Sequence, residues 1–111
     1  MEVKDTLIIA SEFDNSPGAR SDKDGEDSGK KFLDEFLEKR FLLAVEGDYK
    51  LLIDLDGVYG YPSSFVSGSF GALSVAHTKE LVLKHLDFKS ERRPIRIPKI
   101  LEIIENPYGQ Q

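Results

Sequence analysis

A chain of 111 residues, 40% hydrophobic and 32% charged, has the size and make-up of one folded domain. The absence of cysteine excludes disulfides, zinc–thiolate sites and a thiol nucleophile, and no apolar run reaches the length of a membrane span. A net charge of −5 argues against a nucleic-acid or anionic-membrane surface, which carries a basic footprint. The start, Met1 to Asp5, is charged and has no signal-peptide core behind it. A cytoplasmic domain is the expectation, since a cysteine-free chain suits reducing surroundings. Small enzyme, binding module and regulator all remain open.

The β-branched apolar stretch within residues 3–10 predicts a strand at 5–10. Residues 11–27 turn polar and acidic, and Pro17-Gly18 marks a turn, so a loop or a hairpin with a weak strand at 19–21 follows. Phe32, Leu33, Phe36, Leu37, Phe41 and Leu42 recur at helical spacing and predict a helix over 28–45. Asp27 or Ser28 is suited to cap its start, and Gly47 to end it. Leu51-Leu52-Ile53 predicts a buried central strand within 49–55, flanked by helices. The loop 56–62 holds two glycines and a proline, and a helix over 63–73 presents Val66, Phe70 and Leu73. Its other side is small, with Ser67, Gly68, Gly71 and Ala72 suggesting close approach of another backbone or a partner. A helix over 78–86 capped by Thr78, an edge strand at 87–90, a last helix over 95–105 and a fraying tail complete the chain. This alternation predicts an α/β fold, a small mixed sheet of about four strands with helices packed on it.

Asp54-Leu55-Asp56-Gly57 places two carboxylates at the carboxyl end of a strand. It resembles the first motif of the haloacid-dehalogenase phosphatases, which use magnesium. The remaining chain supplies no adjacent pair of acidic residues to complete that site, so the carboxylates read first as turn formers. Residues 25–30 miss the phosphate-loop spacing by one position, and residues 20–31 fail as a calcium loop because Arg20 and Lys31 fall on ligand positions. The helix starts at 28 and 63 remain candidates for a nucleotide- or anion-binding module. His77 and His85 read as surface residues, and Arg92, Arg93, Arg96 and Lys99 form a local basic patch. No residue pattern calls for a metal or a cofactor.

Several segments together carry a resemblance: Pro17 to Arg20, Ser28-Gly29 with Phe32, Asp54 to Gly57, and above all Gly60-Tyr61-Pro62-Ser63-Ser64-Phe65 followed by Phe70-Gly71-Ala72-Leu73. Over about residues 5–105 the chain resembles the bacterial STAS-like domain of unassigned function. It departs from that family's pattern at Lys30-Lys31 and at Ser67 to Ser69, where acidic residues are common. The family is similar to the STAS domains of anti-sigma-factor antagonists. That resemblance implies a non-catalytic regulatory domain that binds a protein, either a histidine-kinase-like ATPase or an anti-sigma factor. It implies Ser63, with Ser64 beside it, as the phosphorylated serine. Asp56, Tyr59, Tyr61, Phe65, Ser67, Gly68 and Gly71 are the candidate interaction surface. The reading carries no cofactor, no nucleic acid and no membrane, and it admits a homo-oligomer.

Overall fold

The computed structural model describes residues 1–17 and 28–109. Strand β1 (Val3–Ile8) runs into a helical turn, α1 (Ile9–Glu12). Helix α2 spans 28–47 and contains a π-helical turn at Leu33–Leu37. Strand β2 (Lys50–Asp54) precedes helix α3, 63–77, which has its own π-helical turn at Ser67–Gly71. Helix α4 (Lys79–His85), strand β3 (Leu86–Lys89) and helix α5 (Arg96–Glu105) follow. The first strand therefore stops at Ile8, where residues 5–10 had been expected to extend.

Among the described residues the sheet has three strands in the order β1-β2-β3, all parallel. The expected sheet was mixed, with about four strands; the weak strand at 19–21 lies outside the described residues. Parallel pairing follows from the connections, because each successive strand is reached through helix. Register places Leu7 beside Ile53 and Ile53 beside Phe88, with Leu51 beside Leu86. Leu7, Leu51, Ile53 and Leu86 are buried, whereas Thr6, Ile8, Asp87 and Lys89 in the alternate row are exposed. The core thus lies on one face of the sheet. β2 is central as expected, but Leu52 and Asp54 on its other face are only half-buried, so helices do not flank it on both sides.

Six of the seven phenylalanines pack as one cluster between the sheet and the helices. Phe32 meets Phe13, Phe65 and Phe70 at 5.2, 5.5 and 6.0 Å, and Phe70 meets Phe88 at 5.5 Å. Such tilted aromatic pairs add to the area they bury. Leu42, expected on the apolar stripe, is 45% exposed, because the π-helical turn shifts the helix phase upstream of it. α2 ends not at Gly47 but at Asp48, which takes the left-handed conformation (φ 60°, ψ 48°) and donates its N–H to Ala44 and Val45. The missing side chain of Gly47 instead leaves room for the Tyr49 ring, which a Cβ would meet at 2.6 Å. His85, expected at the surface, is 2% exposed and pairs through Nδ1 with the Tyr49 carbonyl at 2.8 Å. His77 is half-buried against Glu38. Capping of α2 by Asp27 lies outside the described residues, and Thr78 caps α4 as expected, accepting from the Leu81 N–H at 3.3 Å.

Candidate functional site

The loops that leave the carboxyl ends of β2 and β3 meet beside the first turn of α3 and the face of α5. In open α/β sheets this is where ligands bind. Asp56 ties the two loops together. Its carboxylate accepts the N–H of Glu91 at 2.9 Å and of Arg92 at 3.1 Å. Those two backbone bonds hold its carboxyl below the usual carboxylate range. Asp54 accepts the N–H of Asp56 at 3.0 Å, and its other oxygen lies 3.9 Å from the Lys89 amine. Both carboxylates are therefore engaged in building the turn. Gly57 follows with φ 87°, a conformation that favours glycine.

Arg96 organises the floor of the site. Its guanidinium donates to the carbonyls of Leu55, Val58 and Tyr59 at 3.2, 2.9 and 3.1 Å and lies over the Tyr61 ring at 5.0 Å. The Tyr61 hydroxyl donates to the Leu55 carbonyl at 2.9 Å. Burial pushes that phenol up, with Arg96 opposing in part, so it stays a proton donor. Around this floor opens a cleft of about 540 Å³, lined among others by Tyr59, Tyr61, Ser63, Arg93, Arg96 and Lys99. A smaller recess of about 220 Å³ adjoins it at Asp56, Gly57 and Arg92.

The structure divides the predicted surface residues. Asp56, Tyr59, Tyr61, Ser63 and Ser64 gather at this end, and Tyr59 is 80% exposed. Ser63 and Ser64 are exposed in the first turn of α3, with Pro62 at the N-cap position, so Ser63 stands one residue inside the helix. The other residues face inward. Phe65 is 1% exposed and packs in the phenylalanine cluster, stacked on Phe13 and tilted against Phe32. Gly68 meets the backbone of Gly29, where a Cβ on Gly29 would lie 2.8 Å from the Phe65 carbonyl and 3.2 Å from Gly68. Gly71 is buried beneath Ile103, and Ser67 is half-buried. The small side of α3 serves close helix packing, the first of the two readings of its glycines. The start of α2 is spent likewise: Gly29 is buried, and Lys30 pairs with Asp34 at 2.8 Å.

Among the described residues no three histidine or acidic side chains stand close enough to hold a metal ion. No helix among them is long and apolar enough to cross a membrane. What sequence reasoning missed is the meeting of Ser63 with Arg93 and Lys99 in one cleft. Some thirty residues separate them, and only the packing of α5 against α3 brings them together.

The fold is that of a small α/β domain with a parallel sheet and one helical layer. Residues 28–96 match the family described as the STAS-like domain of unknown function, and the chain belongs to that family. No curated protein and no solved structure matches the chain.

Proposed function

We propose that this chain is a non-catalytic regulatory domain that works by binding another protein. Its docking face is the loop 56–62 with the exposed first turn of α3, and its partner is a histidine-kinase-like ATPase or an anti-sigma factor. Phosphorylation of Ser63 switches it. The observation that carries the reading is the position of Ser63: exposed, one residue inside a helix of three turns and more, beside the exposed Tyr59. A phosphate there meets the unpaired N–H groups and the positive end of the helix dipole. It also places close to two negative charges on the docking face, so a partner that fits the unmodified surface is repelled.

The test is to recover the protein from its own host, map phosphate by mass spectrometry, and compare capture by the unmodified form with Ser63→Glu. Phosphate on Ser63, with a partner retained by Ser63→Ala and lost by Ser63→Glu, is the expected result. Phosphate only at other positions, or none, overturns the switch.

A further inference from the structure

We propose that the cleft between the first turn of α3 and α5 takes an acidic segment of the partner protein, in which carboxylates flank an apolar side chain. The inference rests on the reading of this end as a docking face and gives the partner its chemistry. The chain has a net charge of −5, yet three cationic side chains line the cleft against one carboxylate, Glu102. Arg96 is spent on three carbonyls. Arg93 and Lys99 are exposed, and their side chains have no hydrogen bond or ion pair among the described residues. They suit two carboxylates, with Arg93 supplying a planar fork and Lys99 a point charge.

The rest of the lining suits the apolar side chain. Tyr59 is 80% exposed and Ile95 62% exposed, and both border the cleft, with buried Val66, Ile100 and Ile103 behind them. Large apolar side chains exposed together, beside charged ones, mark an interaction surface, and tyrosine and arginine are common anchors there. A bare anion would leave Tyr59 and Ile95 uncovered. A purely apolar segment would leave Arg93 and Lys99 unmatched. An acidic segment with an apolar centre uses both. Ser63 lines the same cleft, so a phosphate on it would stand beside the two cations the segment needs and repel its carboxylates. Binding of the segment itself needs no modification of Ser63.

The test is NMR titration of the isotope-labelled full chain with three capped pentapeptides: leucine between two pairs of glutamates, the same with serine for leucine, and the same with lysines for the glutamates. The glutamate–leucine peptide is expected to move the amide signals of Tyr59, Arg93, Ile95 and Lys99 saturably, and to bind about fivefold or more tightly than either comparison peptide. Net charge favours the lysine peptide over the surface as a whole, so the opposite preference reports the cleft. Arg93→Gln with Lys99→Gln is expected to weaken binding about fivefold or more at unchanged melting temperature. Tyr59→Ser, on an exposed side chain, is expected to weaken it as well. Equal binding of the three peptides, no binding into the millimolar range, or undiminished binding in the double variant overturns the proposal. Inorganic pyrophosphate binding as tightly as the glutamate–leucine peptide overturns it too, leaving a bare anion site. Self-association of the chain that the double variant abolishes makes a second copy the occupant, and likewise overturns it. A partner captured from the host while the peptides stay flat overturns the acidic chemistry and leaves the docking face standing. Peptide binding in a protein that carries no phosphate on Ser63 supports the acidic chemistry and removes only the switch.

Discussion

Arg40 grips Asp5 with two prongs, Nε to Oδ2 at 3.0 Å and Nη2 to Oδ1 at 2.8 Å, joining the middle of α2 to β1, an edge strand among the described residues. The same guanidinium donates to the Thr6 carbonyl at 2.7 Å and to Glu12 at 2.6 Å, and Glu12 accepts the Ile8 N–H at 2.9 Å. Two backbone groups of an edge strand are thereby occupied by side chains, which is one way to blunt an edge against pairing with another chain. The hydrogen bond from Arg40 is the main cause that holds Asp5 below its ordinary range. Burial raises the Glu12 carboxyl, but the Ile8 and Arg40 bonds outweigh it and the net direction is down. A double-mutant cycle of Arg40→Ala and Asp5→Ala is expected to give a coupling of about 1–2 kcal/mol, between the values for exposed and buried pairs. Arg40→Ala is also expected to raise self-association, read by sedimentation at increasing concentration. A coupling near zero removes the pair as a stabilising contact.

Gly29 carries the contact between α2 and α3. A Cβ there lies 2.8 Å from the Phe65 carbonyl, and neither backbone can yield without separating the helices. Gly29→Ala is expected to destabilise by about 2 kcal/mol, as overpacking does, although alanine favours helix. Gly60 is the control, since nothing lies within 4 Å of its Cβ position and its φ is not positive. Gly60→Ala is expected to be neutral or stabilising by about 0.5 kcal/mol through the unfolded chain. Equal effects of the two changes in urea unfolding would refute the close approach.

Residues with a local spacing or cap signal were the legible ones. Phe32, Leu37 and Phe41 on α2, the run Leu51 to Ile53 on β2 and the cap at Thr78 each follow from neighbours in the chain. The π-helical turns were not legible, because they shift phase within a pattern that still looks helical. Phe65, expected on the interaction surface, is buried, and no local signal shows it: an aromatic beside exposed Ser63 and Ser64 fits a surface or a core equally well. The basic patch at Arg92 to Lys99 was visible as charge. That Arg96 would serve the loop carbonyls, while the side chains of Arg93 and Lys99 find no partner among the described residues, depends on how residues 55–59 fold back on α5.

Asp56 links the candidate site to acid stability. Its carboxyl lies below the ordinary aspartate range because it accepts the Glu91 and Arg92 N–H groups. The unfolded chain therefore binds the proton first as pH falls, at about 4. The stabilisation is fully present above that value and is lost as pH drops through the lower, folded-state value. Asp5 and Glu12 share the sign, so stability is expected to fall steadily below about pH 5. Asp56→Asn keeps one acceptor oxygen in place of two. It is expected to speed amide exchange at Glu91 and Arg92 at neutral pH and to flatten the acid loss. Unchanged exchange at both amides would show that the carboxylate does not hold the turn.

Thr78 joins α3 to α4 at φ 76°, ψ 144°, a region that side-chain-bearing residues avoid and a β-branched residue avoids most. Such a conformation costs about 1–3 kcal/mol. The Thr78 hydroxyl offsets part of this by accepting the Leu81 N–H at 3.3 Å, a cap contributing about 1 kcal/mol. Two substitutions separate these effects. Thr78→Ala removes the cap and keeps the strain, and is expected to lose about 1 kcal/mol. Thr78→Gly also removes the cap but relieves the strain, and is expected to lie within about 1 kcal/mol of the parent. Glycine is thus expected to be more stable than alanine here, the reverse of the usual order within helices, and urea unfolding of the two variants reads the difference directly. Alanine equal to or above glycine would mean that the junction relaxes to an ordinary conformation when the hydroxyl is removed.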